Sequence, residues 1–181
     1  MKKATGIVRR IDELGRVVIP KEIRKVLKIR EGESLEIYTS NDDELILKKY
    51  SGLKYNVNLI EDFIESLNKI LGHTIIVCDT QNIVAVSGKN KKEFETGELT
   101  DGFYEFLQKR KSIVRNIDEK DGFVNITRGE TEFFAQSIYP ILSDGEISGA
   151  IIMLSYSETV KFTNIETKIM ETASDYISRQ L

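Results

Sequence analysis

The sequence predicts an α+β protein of two domains: a small β-rich unit with one short helix, then an antiparallel sheet with flanking helices. Three observations predict it. Residues 1–50 read as hairpin, helix, hairpin. Residues 56–181 read as an amphipathic helix, paired strands and a final amphipathic helix. The charge also changes sign along the chain. Residues 1–30 hold ten Lys and Arg against three Asp and Glu, a net +7. The whole chain is −3, so the remainder carries −10. The expected boundaries are 1–51 for the first domain, 52–55 for a linker and 56–181 for the second domain.

In the first domain, residues 6–11 read as a strand. Asp12-Glu13-Leu14-Gly15 is a turn, with the glycine free to take positive φ. Arg16-Val17-Val18-Ile19 is the return strand. Pro20 suits the first turn of a helix, where its missing N–H is not needed. Ile23, Val26 and Leu27 then recur at helical spacing within residues 21–28. Residues 34–39 and 44–49 alternate as two further strands around Ser40-Asn41-Asp42-Asp43. Fifty residues of this kind bury too little to be robust alone, and their strands leave open edges. Two copies that interleave their hairpins into one shared barrel solve both problems. A two-fold symmetric, obligate dimer is therefore expected.

Beyond residue 55 the period changes. Val57, Ile60, Phe63, Ile64, Leu67 and Leu71 mark a long amphipathic helix. Strands follow at 74–79 and 83–87, around Thr80-Gln81-Asn82. A helix is expected over about 99–110, and short strands near 113–117 and 123–127. Two stronger strands, 133–141 and 147–155, flank Ser143-Asp144-Gly145-Glu146. Thr163 and Glu166 have capping-box spacing for a last helix, with apolar positions Ile165, Ile169, Ala173, Ile177 and Leu181. The stripes of the two long helices could pack on the sheet, on each other or on a second subunit.

The composition excludes several classes. Of 181 residues, 40% are hydrophobic and 30% charged, a globular balance. No apolar run approaches the roughly 20 residues of a membrane helix, and no apolar stretch follows the basic N-terminus as in a signal peptide. A cytoplasmic, nucleoid-associated location is expected. Cys78 is the one cysteine, so no intrachain disulfide can form; it lies in an apolar run and reads as a buried small hydrophobe. His73 is the one histidine and reads as a turn residue, so neither a metal site nor a Ser/His/Asp set is expected. No glycine-rich phosphate loop is present. No catalytic residue and no metal ligand is assigned.

Arginine placement carries the functional signal. Arg9 and Arg10 lie late in the first strand and point to opposite faces. Arg16 opens the return strand. Arg24 and Lys25 lie on the short helix, away from Ile23 and Leu27. Guanidinium groups grip phosphate bidentately and reach guanine edges. A +7 segment on an acidic chain points to double-stranded DNA rather than to solubility alone.

Residues Thr5 to Arg24, with Leu35-Glu36-Ile37-Tyr38 and Ile46-Leu47-Lys48-Lys49-Tyr50, closely resemble the AbrB family of swapped-hairpin transition-state regulators. The resemblance implies a domain-swapped dimeric barrel that binds DNA. It places Arg9, Arg16, Arg24 and Lys25 at the family's DNA-contacting positions, with Arg10 and Lys3 as further candidates. Lys25 stands where a second arginine is common in that family. It also implies readout through DNA shape and flexibility. The helix over 56–71, the strand pair 74–79 and 83–87, and Tyr139-Pro140-Ile141 through Ile151-Ile152 resemble a GAF domain, a pattern that PAS domains share in part. GAF domains often hold a small ligand between sheet and helices, so an unidentified small molecule is a possible cofactor, its binding residues unknown. The alternative is an assembly domain that makes a homotetramer. The two domains together resemble regulators of spore development, for which activation and repression both stay open. An antitoxin is the other binding-protein reading, because some antitoxins use the same N-terminal fold; about 125 periodic residues after it argue instead for a folded second domain.

Overall fold

The computed structural model describes residues 6–40, 43–129 and 132–181, and of residues 119–121 the backbone alone. The chain divides into two units, Met1–Tyr50 and Ser51–Leu181.

In the first unit, Pro20 opens helix α1, Lys21–Val26. Strands β1, Leu35–Thr39, and β2, Leu45–Lys49, form an antiparallel hairpin in which Leu35 faces Lys49 and Ile37 faces Leu47. Glu33 ties this hairpin to the loop after α1, accepting from Lys49 Nζ at 2.8 Å and from Arg30 N at 2.8 Å. The expected first hairpin is different. Its turn is closed, with Gly15 N donating to Asp12 O at 2.9 Å and Asp12 N donating to Arg16 O at 3.1 Å. Gly15 takes φ +76°, as that turn requires. Yet residues 6–11 and 16–19 belong to no strand. A two-stranded ribbon gains little without a surface to pack on, and this unit offers none. Among its described residues none is buried. Val8, Ile11, Val18 and Val26 are all exposed, Val8 at 86%. The apolar face of α1, with Val26 and Leu27, is likewise uncovered.

The second unit begins earlier than expected. Residues 52–55, read as a linker, form helix α2, Gly52–Tyr55. Ser51 caps it by accepting from Lys54 N, and Leu53 is fully buried in the core. Helix α3, Val57–Leu71, follows and ends on Gly72 at φ +71°, whose N–H donates to Asn68 O. Next come β3, Thr74–Asp79, and β4, Ile83–Ser87, at the expected residues. Helices α4, Lys91–Thr96, and α5, Asp101–Leu107, precede β5, Ile113–Asn116. After a 3-10 stretch, Ile117–Gly122, come β6, Ala135–Ser143, and β7, Glu146–Ser155, then helix α6, Asn164–Ser178.

The strands form one antiparallel sheet in the order β4-β3-β7-β6-β5. Both faces are covered, so the inner residues of the central strands, Ile75–Cys78 of β3 and Ala150–Leu154 of β7, are apolar in succession instead of alternating. Ile75 and Val77 join Ile151 and Met153 beneath α3 and α6, which supply Ile60, Ile64, Met170, Ala173 and Ile177. Ile76 and Cys78 join Ile138 and Ile152 on the opposite face, against Phe94 of α4 and Phe103 and Leu107 of α5. Phe63 and Tyr176 bring α3 and α6 together, with ring centroids 4.8 Å apart. Cys78 is fully buried, its thiol directed at Ala150 O, and burial pushes its pKa far up.

Two local expectations are corrected. Residues 123–127 form no strand beyond a single bridge between Thr127 and Leu99. The buried amide of Gln136 replaces a ladder there, donating to Val124 O at 2.8 Å and accepting from Val124 N at 2.9 Å. The stripe of α6 is corrected at its first position: Ala173 and Ile177 are buried as read, but Ile165 is exposed and Met170 joins the core. The capping box forms as read, with Thr163 N donating to Glu166 Oε2 at 2.6 Å.

Candidate nucleic-acid interface

The candidate DNA-contacting residues of the first unit that the structure describes stand on two local scaffolds, the turn at residues 12–15 and helix α1. Arg9 and Arg10 precede the turn and are exposed. Arg9 Nη1 donates to the carbonyl of Val8 at 3.5 Å. Arg16 leaves the turn, and its Nε donates to Asp12 Oδ2 at 2.8 Å while its side chain stays 70% exposed. Lys25 is exposed on α1. Arg24, beside it, lies flatter: its side chain is 30% exposed, and Nη1 donates to Glu31 Oε1 at 3.1 Å. Its Nε is buried and makes no hydrogen bond among the described residues. Lys3 lies outside the described residues. Among the described residues the bonds that hold these cations are local, and none of them links the turn to α1.

Two carboxylates, Asp12 of the turn and Glu31 beyond α1, hold arginines. Asp12 accepts from Leu14 N at 3.0 Å and Arg16 N at 2.8 Å through Oδ1, and from Arg16 Nε through Oδ2. The Arg16 N–H first, and the Arg16 guanidinium second, hold its carboxyl below the ordinary carboxylate range. Glu31 plays the corresponding part for Arg24. The Asp-x-x-x-Arg spacing across a Gly-containing turn was the available signal for the first pair. The second pair, seven residues apart across a helix end, had none.

In the second unit, no group of three or more His, Cys, Asp or Glu among the described residues could hold a metal ion. No helix of the described residues is long and apolar enough to cross a membrane. Buried Asp79 closes the β3–β4 turn, accepting from Gln81 N and Asn82 N, and pairs with Lys54 at 3.1 Å.

Comparison with known proteins follows this division. Residues 57–181 match the family described as stage V sporulation protein T C-terminal, transcription factor. Residues 8–54 match the family described as antidote-toxin recognition MazE, bacterial antitoxin. The chain is 38% identical over 180 residues to stage V sporulation protein T of Bacillus subtilis (strain 168), covering 99% of this chain and 98% of that protein. Over 48 residues it is 62% identical to the transition state regulatory protein AbrB of the same organism, 26% of this chain and 49% of that one. The structure is similar to the GAF domain from a phosphoenolpyruvate-protein phosphotransferase of Coxiella burnetii. The TM-score is 0.55 at 17% identity, covering 68% of this chain and 80% of that one. An arginine-bearing AbrB-like unit followed by a GAF-like sheet defines a two-part DNA-binding regulator. The chain belongs to the stage V sporulation protein T family of transcription factors.

Proposed function

We propose that this protein is a transcription regulator that grips double-stranded DNA as a homodimer built on its first fifty residues. One observation carries the reading: a unit rich in exposed arginine and lysine has no buried side chain of its own among the described residues. Its exposed valines, leucines and isoleucines need a second copy to cover them, since a hydrophobic surface of that density on so small a unit favours association. Pairing doubles the cations on the shared body. Arg9, Arg16, Arg24 and Lys25 contact DNA, with Arg10 and Lys3 beside them.

The regulated genes are those of spore development, as the name of the Bacillus relative suggests. The protein acts in the cytoplasm, on the nucleoid. The second unit either senses a small molecule or assembles dimers into a tetramer. Ile70 of α3 and Ile165 of α6 are exposed on the helices that cover the sheet, which supports assembly. The match of residues 8–54 to an antitoxin family favours a second reading, a toxin-neutralising protein. A folded unit of GAF-like type in place of a short toxin-binding tail weighs against it.

The test combines sedimentation with fluorescence anisotropy of a labelled duplex selected from a randomised pool. Dimeric or tetrameric protein that enriches and binds one duplex class supports the proposal. A monomer that enriches nothing would falsify it.

A further inference from the structure

We propose that Asp12 is a positioning residue that sets the plane of the Arg16 guanidinium for DNA readout. The inference rests on the DNA-binding reading above and deepens it. Each oxygen of this carboxylate has a separate task. Oδ1 closes the turn by accepting from Leu14 N and Arg16 N. Oδ2 accepts from Arg16 Nε at 2.8 Å. A bond at Nε restrains the base of the guanidinium and leaves its Nη1 and Nη2 end, the end that pairs with a phosphate or with O6 and N7 of guanine. The side chain is 70% exposed, so that end is open to a ligand. A restrained fork loses less conformational freedom on binding than a free one. It also offers one approach direction, which is what discrimination between base edges needs.

Electrostatics alone makes the opposite forecast. Asp12 is a negative charge beside a surface that binds a polyanion, and removing it should tighten binding to any duplex. The two accounts therefore differ in sign. Asp12→Asn separates them, because its side-chain oxygen can keep the turn while its amide meets Arg16 Nε donor to donor. Arg16→Lys removes Nε without touching the turn and keeps the charge.

The experiment uses the full chain and two probes: the duplex most enriched by the wild-type protein from a randomised pool, and poly(dI-dC). The wild-type ratio of affinities is the discrimination. Expected is a loss of discrimination of about tenfold in both variants, the scale of one well-made arginine–guanine pair. Melting curves should match the wild type, and Asp12→Asn should add nothing in an Arg16→Ala background. Unchanged discrimination in Arg16→Lys overturns the proposal, as does an Asp12→Asn protein that binds both probes more tightly by the same factor. A wild-type protein that enriches no duplex sinks the DNA-binding reading itself, a result distinct from either of these.

Discussion

Leu53 packs directly on Gly149: a Cβ added to that glycine would lie 2.8 Å from Leu53 Cδ1 and 1.9 Å from the carbonyl oxygen of Cys78. The helical turn that opens the second unit is thus seated in a notch that β7 leaves by lacking a side chain. Gly149 pairs with Asp79 across β3 and β7, so the strand cannot shift aside without breaking ladder bonds. Gly149→Ala is expected to lower the stability of the second unit by about 3 kcal/mol or more, as overpacking against backbone does. Thermal or urea unfolding of the full chain measures it.

Leu53→Ala acts on the other side of the same packing. It leaves a cavity in the core beneath α3 and α6 and should cost about 2–5 kcal/mol. A cost near zero in a denaturant melt would contradict the burial described for α2.

The first unit should lose its structure when its second copy is denied. Leu27→Glu places a charge on the uncovered face of α1. Sedimentation should show loss of association through this unit, with DNA affinity falling in parallel. An oligomer of unchanged size that still binds DNA would show that α1 lies outside the interface.

Arg9→Ala, Arg16→Ala and Arg24→Ala should each weaken DNA binding without changing the melting curve. An arginine that neutralises one phosphate contributes about 1 to the slope of log affinity against log salt, and its removal should flatten the slope by that amount. Three variants with wild-type affinity and slope would remove the proposed surface.

The capping box of α6 gives an acid signature. The Thr163 hydroxyl first, and its backbone N–H to a smaller extent, hold the Glu166 carboxyl below its ordinary value of 4.5. A depressed folded-state pKa contributes stability that is complete above the unfolded value and lost as pH falls through the folded one. The wild type should therefore lose more stability than Glu166→Gln between about pH 5 and pH 3. Parallel acid limbs for the two proteins would disprove the linkage. At neutral pH the substitution should cost about 0.5 kcal/mol, the scale of a lost first-turn charge, because Gln keeps an acceptor oxygen for the box.

Much of this architecture is legible in the sequence because periodicity and burial agree. β3 and β4 fall at the expected residues, since a continuous apolar run bounded by Gly72 and Thr80 leaves few alternatives. The Thr163–Glu166 box marks the start of α6 for the same local reason. Helix α4 escapes a periodicity reading because Phe94 is its single buried residue, and one anchor has no period. The stretch 123–127 looks like a strand but is not one, because its pairing comes from the Gln136 side chain, twelve residues away. Residues 52–55 read as a linker, yet Ser51 caps a helix there and Gly52 makes room for Leu181. Residues 6–11 and 16–19 carry a strand pattern that one chain does not satisfy. For the site, charge counting locates the arginines but sets Asp12 against them and stops short of Glu31, although geometry makes both carboxylates supports of arginines.

The thiol of Cys78 sits in the middle strand pair of the sheet, protonated and shielded from solvent on every side. Alkylating reagents attack thiolates that solvent can reach, so this sulfur stays silent while the sheet is closed. Its labelling rate then becomes a clock for opening of the second unit. A small molecule that stabilises that unit would slow the clock, which turns the chain's lone sulfhydryl into an unmodified reporter for ligand screening.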